Sequence, residues 1–404
     1  MPVFKPFRGY LPAKHVVGDT VLGPNEKWQA NSNKLIQADN PYSFHHILQA
    51  ADPAGQPDML DAACAVAGQV FEQYLETGVY QQDELAAYYL YYTRYKNLEQ
   101  TGLIGLSSIA DYRNAKIKKH EHVRNDRVEQ LYRFMAITGL HTTPVFLTYS
   151  PDKQISDLLY QLRQTTSLFS VKSSPVTEHQ LWRIDSPEHI QLISERFASL
   201  PAFYIADGHH RAAVSELAAA RDPKHPGDFL TILIPSNDLT IYPFYRRIHQ
   251  SSDLPSFDQL CSELNTHYHL QAVLLEQMYY QYLPKQHFLL CSQEKTYLIQ
   301  PKEIQHHNDP LKDLDVSLLQ DNIISKILGI NNPKSDKRIS FGPMSIKLEA
   351  FKELLADADT RYILVPRAPL AESIFEVADR GEVMPPKSTS FEPKIKSGLV
   401  LYRK

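Results

Sequence analysis

Cysteine is scarce in this chain of 404 residues. Cys64, Cys261 and Cys291 are odd in number, far apart and outside any metal-ligand spacing, which argues against a disulfide framework and fits a reducing, cytoplasmic interior. Long apolar runs are missing as well. None approaches the length of a membrane span, and the opening stretch MPVFKPFRGYLPAK has neither the charged nor the apolar region of a secretory signal, so no membrane partner is expected. Positive charge is not in excess: the formal net charge is -4, and no helix-turn-helix is evident, so no nucleic-acid partner is expected. Neither a GxxxxGK[ST] loop nor a GxGxxG run occurs, which disfavours the two common nucleotide-binding folds. Internal repeats and low-complexity tracts are also absent.

What is present belongs to a globular protein of two or three domains. Tyrosine is abundant, and the run AYYLYYTRY from Ala87 to Tyr95 reads as a strand; it lacks the interleaved basic residues of a base-stacking surface. Residues 1–57 read as an extended arm with a short helix around Asn31 to Gln37, followed by a helix from Asp58 to Thr77 whose apolar residues recur at helical spacing up to Gly78. Strands are predicted at Ala87 to Lys96 and Leu103 to Ile109, joined by a loop holding Thr101-Gly102, then a helix from Asn125 with Val128, Leu131, Phe134, Met135 and Ile137 facing inward. The rest of the first region alternates strands and helices, a βαβ-like passage that implies a mixed sheet flanked by helices. After the polar linker Ser251 to Ser256 a second α+β region follows. The expected division is 1–250, a core with its N-terminal arm, and 251–404, whose last segment returns to the site.

Two stretches concentrate chemistry. In AFYIADGHHRAAVSELAAA, residues 202–220, an apolar strand ends at the Asp207-Gly208 turn and a helix is read from Ala212 onward. His209, His210 and Arg211 lie between, beside the unpaired N–H groups and positive dipole end of a helix start, a combination that suits an anion. Asp207 adds a carboxylate able to hold magnesium or take a proton; the plainer alternative is that it caps the helix while the histidines bond backbone. In KIKKHEHVRNDR, residues 116–127, His120, Glu121, His122, Arg124 and Arg127 gather at a helix entrance without the spacing of an HExxH zinc motif. The last stretch, RGEVMPPKSTSFEPKIKSGLVLYRK, offers Lys387, Ser388, Thr389, Lys394 and Lys396 just before an apolar strand, Leu399 to Tyr402, that must dock and so holds them against the body.

The motifs IADGHHR, IKKHEHVRNDR, LDVSLLQDNIISKILGI and RGEVMPPKSTSFEPKIKSGLV resemble a bacterial and archaeal family of unknown function grouped with the ParB/sulfiredoxin-like fold, a resemblance that spans essentially the whole chain. Relatives of that fold with a related Asp-Gly-His-His-Arg motif are free L-serine kinases using ADP, ATP or pyrophosphate. The resemblance implies an α+β protein with a ParB/sulfiredoxin-like core that transfers phosphate to a free small molecule, with L-serine as first expectation. Asp207, Glu121 and His209 would be catalytic, Asp207 the magnesium ligand, and His210, Arg211, Arg124, Lys387, Ser388, Thr389 and Lys394 the phosphate and substrate ligands. Many members carry Pro-Pro-Tyr-Asp in the arm, where this chain has Thr20-Val21-Leu22-Gly23-Pro24-Asn25. The alternatives are a non-catalytic nucleotide- or phosphate-binding regulator, and a metal-dependent hydrolase built on His45, His46, His120, His122, His209 and His210. The number of subunits is left open.

Overall fold

The computed structural model describes residues 1–20, 40–50, 60–275 and 283–404; the helix expected around Asn31 to Gln37 and most of the departing segment, Val21 to Asn25, lie outside them. The chain is α+β and divides into two compact units, Met1–Leu239 with Pro393–Lys404, and Thr240–Glu392. The second unit is therefore a contiguous insertion into the first. The strand at Phe244–His249, read from the sequence as part of the first region, belongs to the second.

The first unit is built on a nine-stranded sheet of β1 (Phe4–Lys5), β2 (Tyr88–Tyr95), β3 (Leu98–Ser108), β4 (Ile117–Lys118), β5 (Val145–Tyr149), β6 (Phe169–Ser174), β7 (Thr177–Ile184), β8 (Phe203–Asp207) and β9 (Asp228–Pro235). Its order is β4-β8-β5-β9-β3-β2-β7-β6, with β1 also on β3. The sheet is mixed: β5 runs antiparallel to β8 and parallel to β9. One face packs Leu90, Leu103, Leu147, Phe203 and Leu233 against Ile155, Leu158 and Leu159 of α3 (Lys153–Arg163) and Ile193 and Phe197 of α4 (Pro187–Ser199). Elsewhere in this unit α1 (Leu60–Glu76) buries Cys64, Ala67, Phe71 and Tyr74, and α2 (Asn125–Thr138) packs Val128 and Met135 against Val214 and Ala218 of α5 (His209–Arg221).

Two expectations are corrected here. Thr101-Gly102 lies inside β3, and the chain reverses at Lys96, whose φ of 55° supplies the left-handed conformation a two-residue hairpin needs between Tyr95 and its partner Leu98. Gly102 is not a turn glycine but a clearance, since a Cβ there would stand 2.6 Å from Ile234 Cγ1. Ile137 is 42% exposed: two positions past buried Met135, it is rotated about 200° around the helix.

The second unit holds a pair of short strands, β10 (Thr240–Tyr242) with β17 (Ser390–Glu392), and a six-stranded sheet of β11 (Phe244–His249), β12 (Tyr268–Ala272), β13 (Phe288–Cys291), β14 (Thr296–Pro301), β15 (Ile339–Pro343) and β16 (Thr360–Pro366), in the order β12-β14-β13-β16-β11-β15. The helix expected from Val316 to Leu328 begins as an α-helix at Asp315–Leu319 and continues as a π-helical stretch, Gln320–Ser325, a local irregularity that apolar periodicity does not reveal. With Leu254, Leu260 and Ile248 it closes an apolar core on one sheet face.

Candidate functional site

Strand β8 and helix α5 are separated by one residue. Gly208 stands between them at φ 97°, a left-handed conformation that only glycine adopts without strain, and a Cβ there would lie 2.8 to 2.9 Å from the Arg211 guanidinium. The helix begins at His209 and not at Ala212, so His209, His210 and Arg211 form its first turn, and their backbone N–H groups are those a helix leaves without intrahelical partners. Its N-cap is Gly208, which has no side chain to cap it. Asp207 turns its Oδ2 to Arg211 Nη2 at 2.8 Å.

The two histidines fasten a distant loop to this turn. His209 is 3% exposed; its Nε2 accepts from the His120 backbone N–H at 3.4 Å, and its Nδ1 faces Glu121 Oε2 at 3.5 Å. That pattern assigns the ring proton to Nδ1. His210 Nε2 accepts from the Arg124 N–H at 3.1 Å. Both histidines therefore bond backbone, and the loop that carries Glu121 is held at the turn. The Arg124 guanidinium reaches Asp126 at 2.5 Å in exposed surroundings.

Arg211 is engaged from several sides: Nη1 donates to the carbonyls of Thr143 and Pro144, at the entrance to β5, and Nη2 to Asp207. It holds the end of one strand to the start of the next helix. Sequence reasoning, which saw only a cation beside a helix start, had no way to count those carbonyls.

Charge at the turn is organised around Asp207. The Asp207 side chain stays half exposed, and although the protein packed around it pushes its carboxyl up, the positive charge of Lys394, followed by Arg211, His120 and the Gly208 amide, more than offsets this and holds it below the ordinary carboxylate range. Lys394 reaches the turn because Pro393–Lys404 belongs to the first unit. His209 is driven well below the usual histidine range by burial and then by the nearby positive groups, first His120. His210 is lowered by burial and by Arg127 and Arg124.

His120, named at the helix entrance and in the hydrolase alternative but given no part in the transfer site, also lies at the turn. It is 2% exposed, its ring lies edge-on to His209 at 4.6 Å between centroids, and burial lowers it to about 4 despite the opposing pull of Asp207 and a bond to the Ile205 backbone. Its Nδ1 is buried without a hydrogen-bond partner among the described residues. A buried acceptor left open beside a carboxylate and a helix start is suited to a substrate proton. Lys387, Ser388 and Thr389 belong to the second unit, where the Ser388 hydroxyl donates to the Pro385 carbonyl at 2.6 Å. The six histidines do not come together: among the described residues no three His, Cys, Asp or Glu side chains gather as a metal site.

A profile of the family described as a protein of unknown function (DUF1015) matches residues 4–317. No curated protein matches the chain. Among solved structures, a free serine kinase in complex with AMP is 15% identical with a TM-score of 0.36, over 74% of this chain and 89% of that one. A conserved hypothetical protein from Pyrococcus furiosus is 16% identical with a TM-score of 0.36, over 72% and 93%. SbnI with a C-terminal truncation, from Staphylococcus aureus, is 12% identical with a TM-score of 0.38, over 72% and 82%. No helix among the described residues is long and apolar enough to cross a membrane.

Proposed function

The chain belongs to the DUF1015 family, and from that premise we propose that it is a phosphotransferase acting on a free small molecule, L-serine foremost, with a nucleotide or pyrophosphate as donor. The observation that carries the reading is the Asp207 turn: an ionised carboxylate, a helix start whose first N–H groups lack intrahelical partners, and the cations Lys394 and Arg211 at one point of the first unit. Phosphoryl transfer needs positive groups around the transferred oxygens and an oriented hydroxyl more than it needs covalent help.

In this reading the serine hydroxyl oxygen attacks the donor's terminal phosphorus, a new O–P bond forms, and the bond to the leaving phosphate oxygen breaks. The N–H groups of the first turn of α5 and Lys394 hold the transferred group. The hydroxyl proton passes to Glu121, which His209 Nδ1–H orients, while His120 Nδ1 accepts a hydrogen bond from the acceptor. Arg211 keeps Asp207 in place. Asp207, a hard oxygen ligand held ionised, fits a magnesium ion shared with donor phosphates; such an ion would supply charge neutralisation. Localisation in the cytoplasm is part of the proposal.

The test is incubation of the protein with magnesium, a panel of free amino acids, and ATP, ADP or pyrophosphate, with products read by mass spectrometry. Phosphoserine formed by the wild type and lost in Asp207→Asn is the expected result. Silence across the panel from a protein that still binds nucleotide would replace the transferase by a binding protein.

A further inference from the structure

Strand β11 of the second unit breaks its own pattern. Alternation places Arg246 and Ile248 on the same face, and Ile248, Leu364 and Phe341, the last two opposite Arg246 on β16 and β15, belong to or pack on one apolar core. The position calls for an aliphatic side chain. It holds a guanidinium that is 2% exposed.

That guanidinium has five N–H donors. One nitrogen donates to the Phe244 carbonyl at 2.5 Å and another to the Lys387 carbonyl at 3.4 Å, and the group lies 5.6 Å from the centre of the Phe341 ring. Among the described residues no carboxylate pairs with it. Burial alone governs its protonation, lowering it to about 9. Lys387, whose carbonyl accepts one of these bonds, places its Nζ 5.3 Å from the ring centre of Phe244, the residue that shares the Arg246 face. Lys387 itself is held at φ 57°, a left-handed conformation costly for a residue with a side chain. An uncompensated buried charge beside strained backbone destabilises a fold, and such breaches of local rules are characteristic of binding sites.

We propose that Arg246, together with Lys387, forms an oxyanion-binding site in the second unit, whose ligand offers two oxygens to the guanidinium edge in the bidentate manner of a carboxylate or phosphate group. The site is assigned on its own geometry and does not require the transfer reaction.

The experiment is calorimetric titration of the full chain and of Arg246→Met and Arg246→Lys with pyrophosphate and with L-serine at matched ionic strength, alongside melting of the ligand-free proteins. The assignment expects at least one probe to bind the wild type, to bind Arg246→Met at least tenfold more weakly and Arg246→Lys less weakly than that, with all three ligand-free proteins melting cooperatively. Loss confined to pyrophosphate identifies a phosphate, and loss confined to L-serine a carboxylate. Equal affinity in wild type and Arg246→Met, or no binding of either probe to the wild type, would each overturn it. A protein that binds through Arg246 yet transfers no phosphate would remove the proposed reaction and leave this site standing.

Discussion

Asp207 and Arg211 look alike in the sequence, two charges flanking a pair of histidines, and the structure gives them different work. Asp207 is half exposed, whereas Arg211 is tied to the carbonyls of Thr143 and Pro144. Asp207→Asn should therefore abolish transfer with little change in melting temperature. Arg211→Ala, by leaving those carbonyls and Asp207 without a donor, should lower stability by about 1–3 kcal/mol, measurable by denaturant unfolding. An Arg211→Ala variant as stable as the wild type, with only donor affinity weakened, would restore the simpler view of Arg211 as a phosphate ligand. Gly208→Ala forces a side chain into a left-handed position and against the same guanidinium; it should cost about 1–3 kcal/mol and reduce transfer through displacement of Asp207.

At the scale of elements, the start of α5 and the loop before α2 act as one body because His209 and His210 accept backbone N–H groups from that loop. His209→Phe leaves the His120 amide unpaired, and hydrogen exchange at residues 119–124 should quicken while exchange in β9 stays unchanged. Acid should weaken the whole assembly. Burial lowers His120 to about 4, and it lowers His141 and His179 to about 3, so none takes a proton in the folded protein where the unfolded chain, near 6.5, does. The unfolded state then binds more protons, and stability falls as pH drops from about 6.5 toward 4, by up to about 1.4 kcal/mol per pH unit for each histidine. His141→Phe removes one such contribution and should flatten the melting temperature in that window. Much of this architecture was legible: the β8 strand, the Asp-Gly turn and the helical period of α2 are local patterns. The docking of Glu121 on His209 was not, because it joins positions that only the sheet order β4-β8-β5 brings together. Arg246 was visible only as one of two adjacent arginines, since nothing in a sequence tells which of them faces a core.

For the molecule as a whole, the decisive feature is that Thr240 and Glu392, the two ends of the second unit, pair directly across β10 and β17. A segment whose ends already meet makes few demands on what surrounds it. Residues 240–392 expressed alone should unfold in a single cooperative transition by calorimetry, and a non-cooperative melt would show that the unit leans on the rest of the chain. The first unit has no such independence. Leu401 is fully buried and exchanges backbone hydrogen bonds with Tyr10, and Arg403 and Lys404 pair with Glu72 and Asp222. Removing 393–404 should expose that core and produce aggregation on concentration. The same connectivity orders events during translation. Domains tend to fold as they emerge, N-terminal first, yet here the inserted unit can be complete while the strand that closes the earlier one is still within the ribosome. The Asp207 turn, which depends on Lys394 for its charge, would then be the last part of the protein to mature, so a nascent chain carries a finished second unit before it has an assembled turn.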